Sequence, residues 1–149
     1  AFKRLAELYP DNPKVKLFKI AIGLENQFAT FYSVKNHLGI EDTGLLSTLN
    51  LSELKTRFPG TEYTEMEVQV MTWPDFYTHA RGPKQFDFIS IDAEGYDLTI
   101  LRQIDFNQTK TRLVCVEWNS KDRHLYDAVM YPFGFRILHL NGENIIYVR

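Results

Sequence analysis

Between residues 86 and 131 the sequence alternates twice between a short apolar run and a segment of helical spacing. This alternation predicts strands joined by helices, an arrangement that forms a parallel sheet with helices on its faces. Both runs are too apolar to be surface strands, yet each ends abruptly in acidic residues. The predicted elements are strands at Phe86–Ile91 and Arg112–Val116 and helices at Gly95–Ile104 and 121–131, the last with Leu125, Val129 and Met130 facing inward.

The rest of the chain adds strands and a closing hairpin. The dipeptide Asn141-Gly142 is a strong hairpin signal and predicts that the last two strands pair antiparallel. Residues 36–60 predict a long loop with one helical turn. The expected class is therefore α/β, with a mixed, mostly parallel sheet and a C-terminal antiparallel hairpin. The other predicted elements are helices at Phe2–Tyr9 and Trp73–Ala80 and strands at Val15–Ile22, Phe28–Val34, Glu65–Met71, Phe135–Leu140 and Ile145–Val148.

Length and charge narrow the class of protein. The 149 residues suit a single domain spanning residues 1–149. A formal net charge of -2 argues against a nucleic-acid-binding surface, which usually carries a basic excess. The sequence also predicts no membrane span, because no apolar run approaches the roughly 18 residues that one requires. The only cysteine, Cys115, lies in an apolar run and is predicted to be a buried thiol in a reducing, cytoplasmic setting.

Polar clusters follow both of the predicted buried strands. Asp92, Glu94 and Gly95 come directly after the first strand, and Glu117 and Asn119 come at the end of the second. In open α/β sheets, ligands bind outside the carboxyl ends of the strands. Because sequential parallel strands are often neighbours, we expect these acids and the asparagine to converge on one crevice.

Each of these residues also has an ordinary structural explanation. Asp92 can cap the following helix, and Glu94 can favour the positive N-terminal end of that helix. Trp118 can be a packing aromatic. His124 follows the second cluster closely enough to reach the crevice as a base, but it also suits a solvated helix position. The functional interpretation rests on the joint occurrence of two acidic strand ends at one edge of the sheet.

The order of these pieces resembles the FkbM family of methyltransferases, which use S-adenosylmethionine. The family's hallmark is a strand followed by D-x-E-G-Y/F-[DE] and a helix, and the matching stretch here is ISIDAEGYDLTIL, Ile89–Leu101. The resemblance extends over nearly the whole chain. Further similar stretches are NPKVKLFKIAIG (Asn12–Gly23), GLLSTL (Gly44–Leu49), VQVMTWPDF (Val68–Phe76), LVCVEWN (Leu113–Asn119) and the terminal hairpin GFRILHLNGENIIYVR (Gly134–Arg149).

The resemblance implies a Rossmann-like class I methyltransferase fold that is incomplete at its start. In the family, a strand with a glycine-rich turn, a helix and an acid-ended strand come first and cradle the cofactor. This sequence has no such part, and it opens inside a helical pattern at Phe2 without a capping residue. We therefore expect a truncated domain that lacks the N-terminal strand–helix–strand unit. In this type of fold, Ala21 and Ile22 would bind the cofactor near its adenine.

The resemblance also implies roles for the two acidic clusters. The acceptor would be a hydroxyl of a sugar, a glycolipid or a natural-product scaffold, methylated on oxygen. Asp92 would hold the amino group of the cofactor or take the acceptor proton, and Glu94 and Glu117 are the next candidates for the catalytic base. Trp118, Asn119 and His124 would contact the acceptor, with Trp118 stacked on a sugar face.

Three alternatives stay open from the residues themselves. Asp92, Glu117 and Asn119 are hard oxygen ligands that would suit Mg²⁺, as in some related O-methyltransferases. The same acids could serve a metal-dependent phosphoesterase or nuclease, although no basic groove or phosphate-binding loop is visible. A non-catalytic module with a methyltransferase-like fold is the third possibility. The sequence names neither the acceptor nor an oligomeric state.

Overall fold

The structure is a computed structural model that describes residues 2–37, 40–41 and 47–149. Helices and strands are mixed along the chain, which confirms the α/β class. In chain order the elements are α1 Phe2–Leu8, β1 Ala21–Ile22, β2 Gln27–His37, β3 Ile40–Glu41, α2 Leu51–Arg57, β4 Glu62–Met71, α3 Trp73–His79, β5 Phe88–Ile91, α4 Asp97–Leu101, α5 Phe106–Thr109, β6 Leu113–Glu117, α6 Arg123–Met130, a 3-10 helix Tyr131–Phe133, β7 Arg136–Leu140 and β8 Asn144–Val148.

The chain divides into two compact units. The first comprises residues 1–21 and 26–70, and the second comprises residues 22–25 and 71–149. Each unit has most of one four-stranded sheet, in the order β1-β4-β2-β3 and β5-β6-β8-β7 respectively. The expectation that one domain spans the whole chain stays a prediction.

The first unit is built on a long antiparallel pair of strands. β2 pairs with β4 from Gln27 opposite Val70 onward, and β2 also pairs antiparallel with β3. Helix α2 occupies part of the segment predicted as a long loop, and it begins where the side chain of Asn50 accepts the backbone N–H of Glu53. The predicted serine-containing stretch, residues 44–49, lies outside the described residues except for its last three positions.

The second unit contains the strand pair on which the sequence prediction depended. β5 and β6 are parallel neighbours, with Ile91 opposite Val116. The predicted hairpin is confirmed, because β7 and β8 are antiparallel, and β8 also pairs antiparallel with β6. The expectation of a single, mostly parallel sheet is wrong. The described residues form two sheets, and most of the strand pairs with a defined register are antiparallel.

The core of the second unit lies against one face of its sheet. Alternate side chains of β5, β6 and β8 are buried there, because successive side chains of a strand point to opposite faces. Helices α4, α5 and α6 contribute buried residues to the same core. The buried cluster consists of Ile89, Ile91, Ile100, Leu101, Ile104, Phe106, Val114, Val116, Tyr126, Met130, Phe135, Ile145 and Tyr147.

Several elements are shorter than predicted, and some side chains that were predicted to be buried are exposed. Only Ala21–Ile22 of the predicted strand Val15–Ile22 is a strand. The predicted helix Gly95–Ile104 is reduced to the five residues of α4, because the chain makes a tight turn before Asp97. Phe88 is 50% exposed, so β5 is buried on one face only. Leu125 is 43% exposed, and α6 instead buries Tyr126 and Asp127 beside Met130.

Two predictions concern the environment of the protein, namely that it has no membrane span and that its cysteine is a buried thiol in a reducing, cytoplasmic setting. Among the described residues, no helix has the length and apolar character needed to cross a membrane. The thiol of Cys115 is only partly buried, and burial raises its pKa. Its sulfur lies 3.8 Å from the side-chain oxygen of Asn144. The cytoplasmic location stays a prediction.

A buried polar pair ties the last strand to α6. The Tyr147 hydroxyl donates to a carboxylate oxygen of Asp127 at 2.8 Å, and the Arg123 guanidinium donates to the other oxygen at 3.0 Å. Tyr147 and Asp127 are both buried. Burial and the bond to Asp127 raise the pKa of Tyr147, so its hydroxyl remains a donor.

We expect Tyr147→Phe to lower the free energy of unfolding by about 1–2 kcal/mol, because a buried carboxylate loses a donor. The matched control is Tyr77→Phe, which removes an exposed hydroxyl that donates to the carbonyl of Pro83 at 2.7 Å. Urea unfolding of both variants tests the difference. An equal loss in the two variants would contradict the stabilising role of the buried pair.

Candidate functional site

The parallel pairing of β5 and β6 brings the two acidic strand ends together. Asp92 directly follows β5, and Glu117 is the last residue of β6. One carboxylate oxygen from each of Asp92, Asp97 and Glu117 lies within 4.8 Å of the other two. Asp92 is exposed, Glu117 is half-buried and Asp97 is buried. We call these three residues the carboxylate triad. The predicted convergence is therefore confirmed for Asp92 and Glu117, with Asp97 as an unpredicted third member.

Asp97 organises the turn between β5 and α4. One of its carboxylate oxygens accepts the backbone N–H of Ala93 at 2.7 Å, and the other accepts the N–H of Gly95 at 3.1 Å. The N–H of Tyr96 adds a bond to the carbonyl of Ala93 at 3.3 Å. Asp97 is only 2% exposed, so these bonds are sheltered from water. The buried carboxylate thereby fixes the backbone that carries Asp92 and Glu94.

The same turn needs an unusual backbone conformation. Glu94 has a φ of 45° and Gly95 a φ of 101°, both in the left-handed region. A side chain at a positive φ costs about 1–3 kcal/mol, and glycine avoids most of that cost. Gly95 therefore permits the chain to turn sharply at the strand end, as the sequence suggested. The turn also shows why Asp92 is not the helix cap, since the N-cap position of α4 is Tyr96, which makes no side-chain capping bond.

The triad concentrates negative charge in a partly buried place. Burial raises the pKa of Asp97, and the nearby charge of Asp92 raises it further. The backbone N–H groups of Ala93 and Gly95 oppose the rise but do not cancel it. Ionisation of Asp97 is therefore less favourable in the folded protein than in water.

The raised pKa of Asp97 makes a prediction about stability and pH. The pKa of an aspartate in the unfolded chain is about 4. At a pH just above that value, the unfolded chain has lost the proton of Asp97 while the folded protein still retains it. The contribution of Asp97 to the free energy of unfolding therefore falls as the pH rises from about 4 through the pKa of Asp97 in the folded state. Asp97→Asn abolishes this titration. We expect the stability difference between wild type and Asp97→Asn to be largest in acid and to shrink as pH rises, in urea unfolding at stepped pH. A constant difference would contradict this assignment.

The other predicted site residues have different surroundings. Glu94 is half-buried in the turn and does not belong to the triad. Trp118 and Asn119 directly follow Glu117 and are half-buried, with Trp118 packed against the core of the second unit. His124 is exposed in the first turn of α6, where its backbone N–H bonds to Asp122, as expected of a solvated helix residue.

The predicted adenine-binding residues fall in different units. Ala21 belongs to the first unit and Ile22 to the second, where Ile22 packs against the core. Both side chains are half-buried. Their role in cofactor binding stays a prediction.

Asp97 is the site residue that sequence reasoning missed. The signal was present, because Asp97 is the third acid of the DAEGYD stretch and occupies the [DE] position of the family hallmark. An acid in the first turn of a predicted helix is also common without any functional role. Only the tight turn at Gly95 directs the carboxylate back onto the N–H groups of Ala93 and Gly95.

Comparison with known protein families identifies the family of the chain. The model of the methyltransferase FkbM domain matches residues 3–137, which includes both acidic strand ends. No curated protein and no solved structure shows significant similarity to the chain. The match covers most of the 149 residues. The chain therefore belongs to the FkbM methyltransferase domain family.

Proposed function

We propose that the protein methylates a hydroxyl oxygen on a sugar, glycolipid or natural-product scaffold and takes the methyl group from S-adenosylmethionine. One observation carries the proposal. Two parallel strands deliver Asp92 and Glu117 to the same sheet edge, where their carboxylates approach within 4.8 Å. Ligands of open α/β sheets bind at this edge. Membership of a methyltransferase family narrows the chemistry to methyl transfer.

The charge of the triad suits this cofactor. S-adenosylmethionine carries a positive ammonium and a positive sulfonium, and when bound it supplies an electrophilic methyl group. The carboxylates of the triad attract such cations because opposite charges within a few ångströms interact strongly outside bulk water. Asp92 and Glu117 are the members that a ligand can reach, since Asp97 is only 2% exposed.

Asp92 is the strongest candidate for the catalytic base. It is the exposed member of the triad, so an acceptor hydroxyl can approach it from solvent. A positioned carboxylate that accepts the hydroxyl proton contributes roughly 10²–10⁴ in rate. Asp97 fixes the backbone beside Asp92 and therefore limits its freedom. Glu117 and Glu94 are the next candidates for the same step.

The test is transfer of a tritiated methyl group from S-adenosylmethionine to a panel of methyl glycosides. We expect labelled product that S-adenosylhomocysteine suppresses. Calorimetric titration with S-adenosylhomocysteine measures cofactor binding separately. Binding without transfer to any glycoside would remove sugars from the proposed acceptors. The absence of both binding and transfer would overturn the proposal and favour the non-catalytic module.

The same assay decides the predicted Mg²⁺ requirement. The structure brings Asp97 together with Asp92 and Glu117, so three carboxylates are available as hard oxygen ligands. A dependence on Mg²⁺ predicts that EDTA stops methyl transfer and that added Mg²⁺ restores it. Transfer that persists in EDTA would show that the carboxylates act without a metal. Cleavage of a model phosphodiester in the presence of Mg²⁺ would support the phosphoesterase alternative.

A further inference from the structure

The loop after β6 is bonded to the tip of the β7–β8 hairpin. We call residues 141–143 the hairpin tip. The carbonyl of Glu143 accepts the N–H groups of Trp118 and Asn119 at 2.8 and 3.2 Å. The carbonyl of Gly142 accepts the hydroxyl of Ser120 at 2.9 Å. The carbonyl of Asn141 accepts the indole N–H of Trp118 at 2.7 Å, so all three carbonyls of the hairpin tip accept a hydrogen bond from this loop.

These hydrogen bonds stabilise a loop whose backbone conformation is unfavourable by itself. Asn119 and Ser120 have φ values of 49° and 53°, so two successive residues adopt the left-handed conformation. Each such residue costs about 1–3 kcal/mol unless the surroundings impose it. The indole of Trp118 packs against the core while its only polar atom is bonded to the tip, which fixes the direction of the ring. The hairpin tip is therefore the element that imposes this loop conformation.

The side chain of Asn141 determines the shape of the tip. Its amide oxygen accepts the N–H groups of Glu143 and Asn144 at 2.9 and 2.7 Å. Its backbone N–H also bonds to the carbonyl of Asn144 at 3.1 Å. A side chain that bonds to the backbone two residues ahead mimics a turn and stabilises it. One residue thus shapes the tip and supplies the carbonyl that holds Trp118.

We propose that Asn141 is a positioning residue for the acceptor, which acts by holding Trp118 and Asn119 beside the carboxylate triad. The proposal rests on the proposed function, because it assumes that these two residues contact the acceptor. Glu117 pairs with Asn144 at the end of β6, so the held loop begins directly at a triad member. A fixed indole ring would limit the orientations that a sugar stacked on it can adopt.

The experiment compares Asn141→Ala with Asn141→Asp. Asparagine and aspartate both offer the oxygen that accepts the two N–H groups, whereas alanine offers none. We expect Asn141→Ala to raise the KM for the methyl glycoside that wild type labels best by about fivefold or more, which corresponds to the loss of one ordinary contact between the loop and the acceptor. The KM for S-adenosylmethionine should stay within about twofold, and Asn141→Asp should restore the acceptor KM.

A second measurement follows Trp118 directly. In a Trp73→Phe background, Trp118 is the only tryptophan, so its fluorescence reports on the loop. We expect acrylamide to quench Trp118 more strongly after Asn141→Ala, and Asn141→Asp to behave like the parent. Unchanged quenching would overturn the positional role. Increased quenching with an unchanged acceptor KM would show that the loop does not contact the acceptor. If wild type transfers no methyl group, the proposed function fails, and the acceptor role of Asn141 falls with it.

Discussion

Replacing Asp97 with alanine is expected to lower the free energy of unfolding by about 2–4 kcal/mol and to abolish methyl transfer. The variant leaves the sheltered N–H groups of Ala93 and Gly95 without their acceptor. The turn at the end of β5 then loses the two bonds from Asp97 that help to offset the left-handed conformation of Glu94. Because Asp92 is carried on this turn, activity should fall together with stability. Urea unfolding and the methyl-transfer assay measure the two effects.

The matched control for this prediction is Asp105→Ala. Asp105 also accepts two backbone N–H groups, those of Asn107 and Gln108, but it is an exposed N-cap at the start of α5. The loss of such a cap typically costs about 1 kcal/mol. We therefore expect a smaller loss of stability and no loss of activity in the control. Equal effects on activity would show that Asp97 matters only through global stability.

Replacing Asp92 with asparagine is expected to reduce methyl transfer by roughly 10²–10⁴ while changing stability by less than about 0.5 kcal/mol. The side chain is exposed, so its replacement leaves the core intact. Asparagine has nearly the shape of aspartate but cannot accept the hydroxyl proton. Initial rates at saturating S-adenosylmethionine, together with urea unfolding, test both parts of the prediction.

The control for Asp92 is Asp87→Asn, which neutralises an exposed acid just before the opposite end of the same strand. Asp87 precedes β5 and Asp92 follows it, so the two variants alter charge equally at different edges of the sheet. We expect Asp87→Asn to retain wild-type turnover. Turnover by Asp92→Asn within about twofold of wild type would refute the base role of Asp92.

The site was predictable to the extent that it depends on where strands end. The apolar runs before Asp92 and Glu117 indicated two buried strands, and sequential parallel strands tend to be neighbours. The structure confirms the pair, and the two carboxylates meet at its edge. The hairpin at Asn141-Gly142 was predictable for a similar reason, because its turn signal is local.

Other features depended on contacts that no local pattern encodes. Val15–Ile20 is apolar enough for a strand but has no strand conformation, because strand formation requires a partner that propensity does not supply. Asp97 received no role from the sequence, because its partners are set by the fold of the turn. The sequence by itself determined the α/β class, the acidic strand ends and the closing hairpin, because hydrophobic periodicity and turn residues are local. Only the tertiary structure decided that Asp97 completes the triad and that the hairpin tip holds Trp118, because both depend on backbone groups brought together by folding.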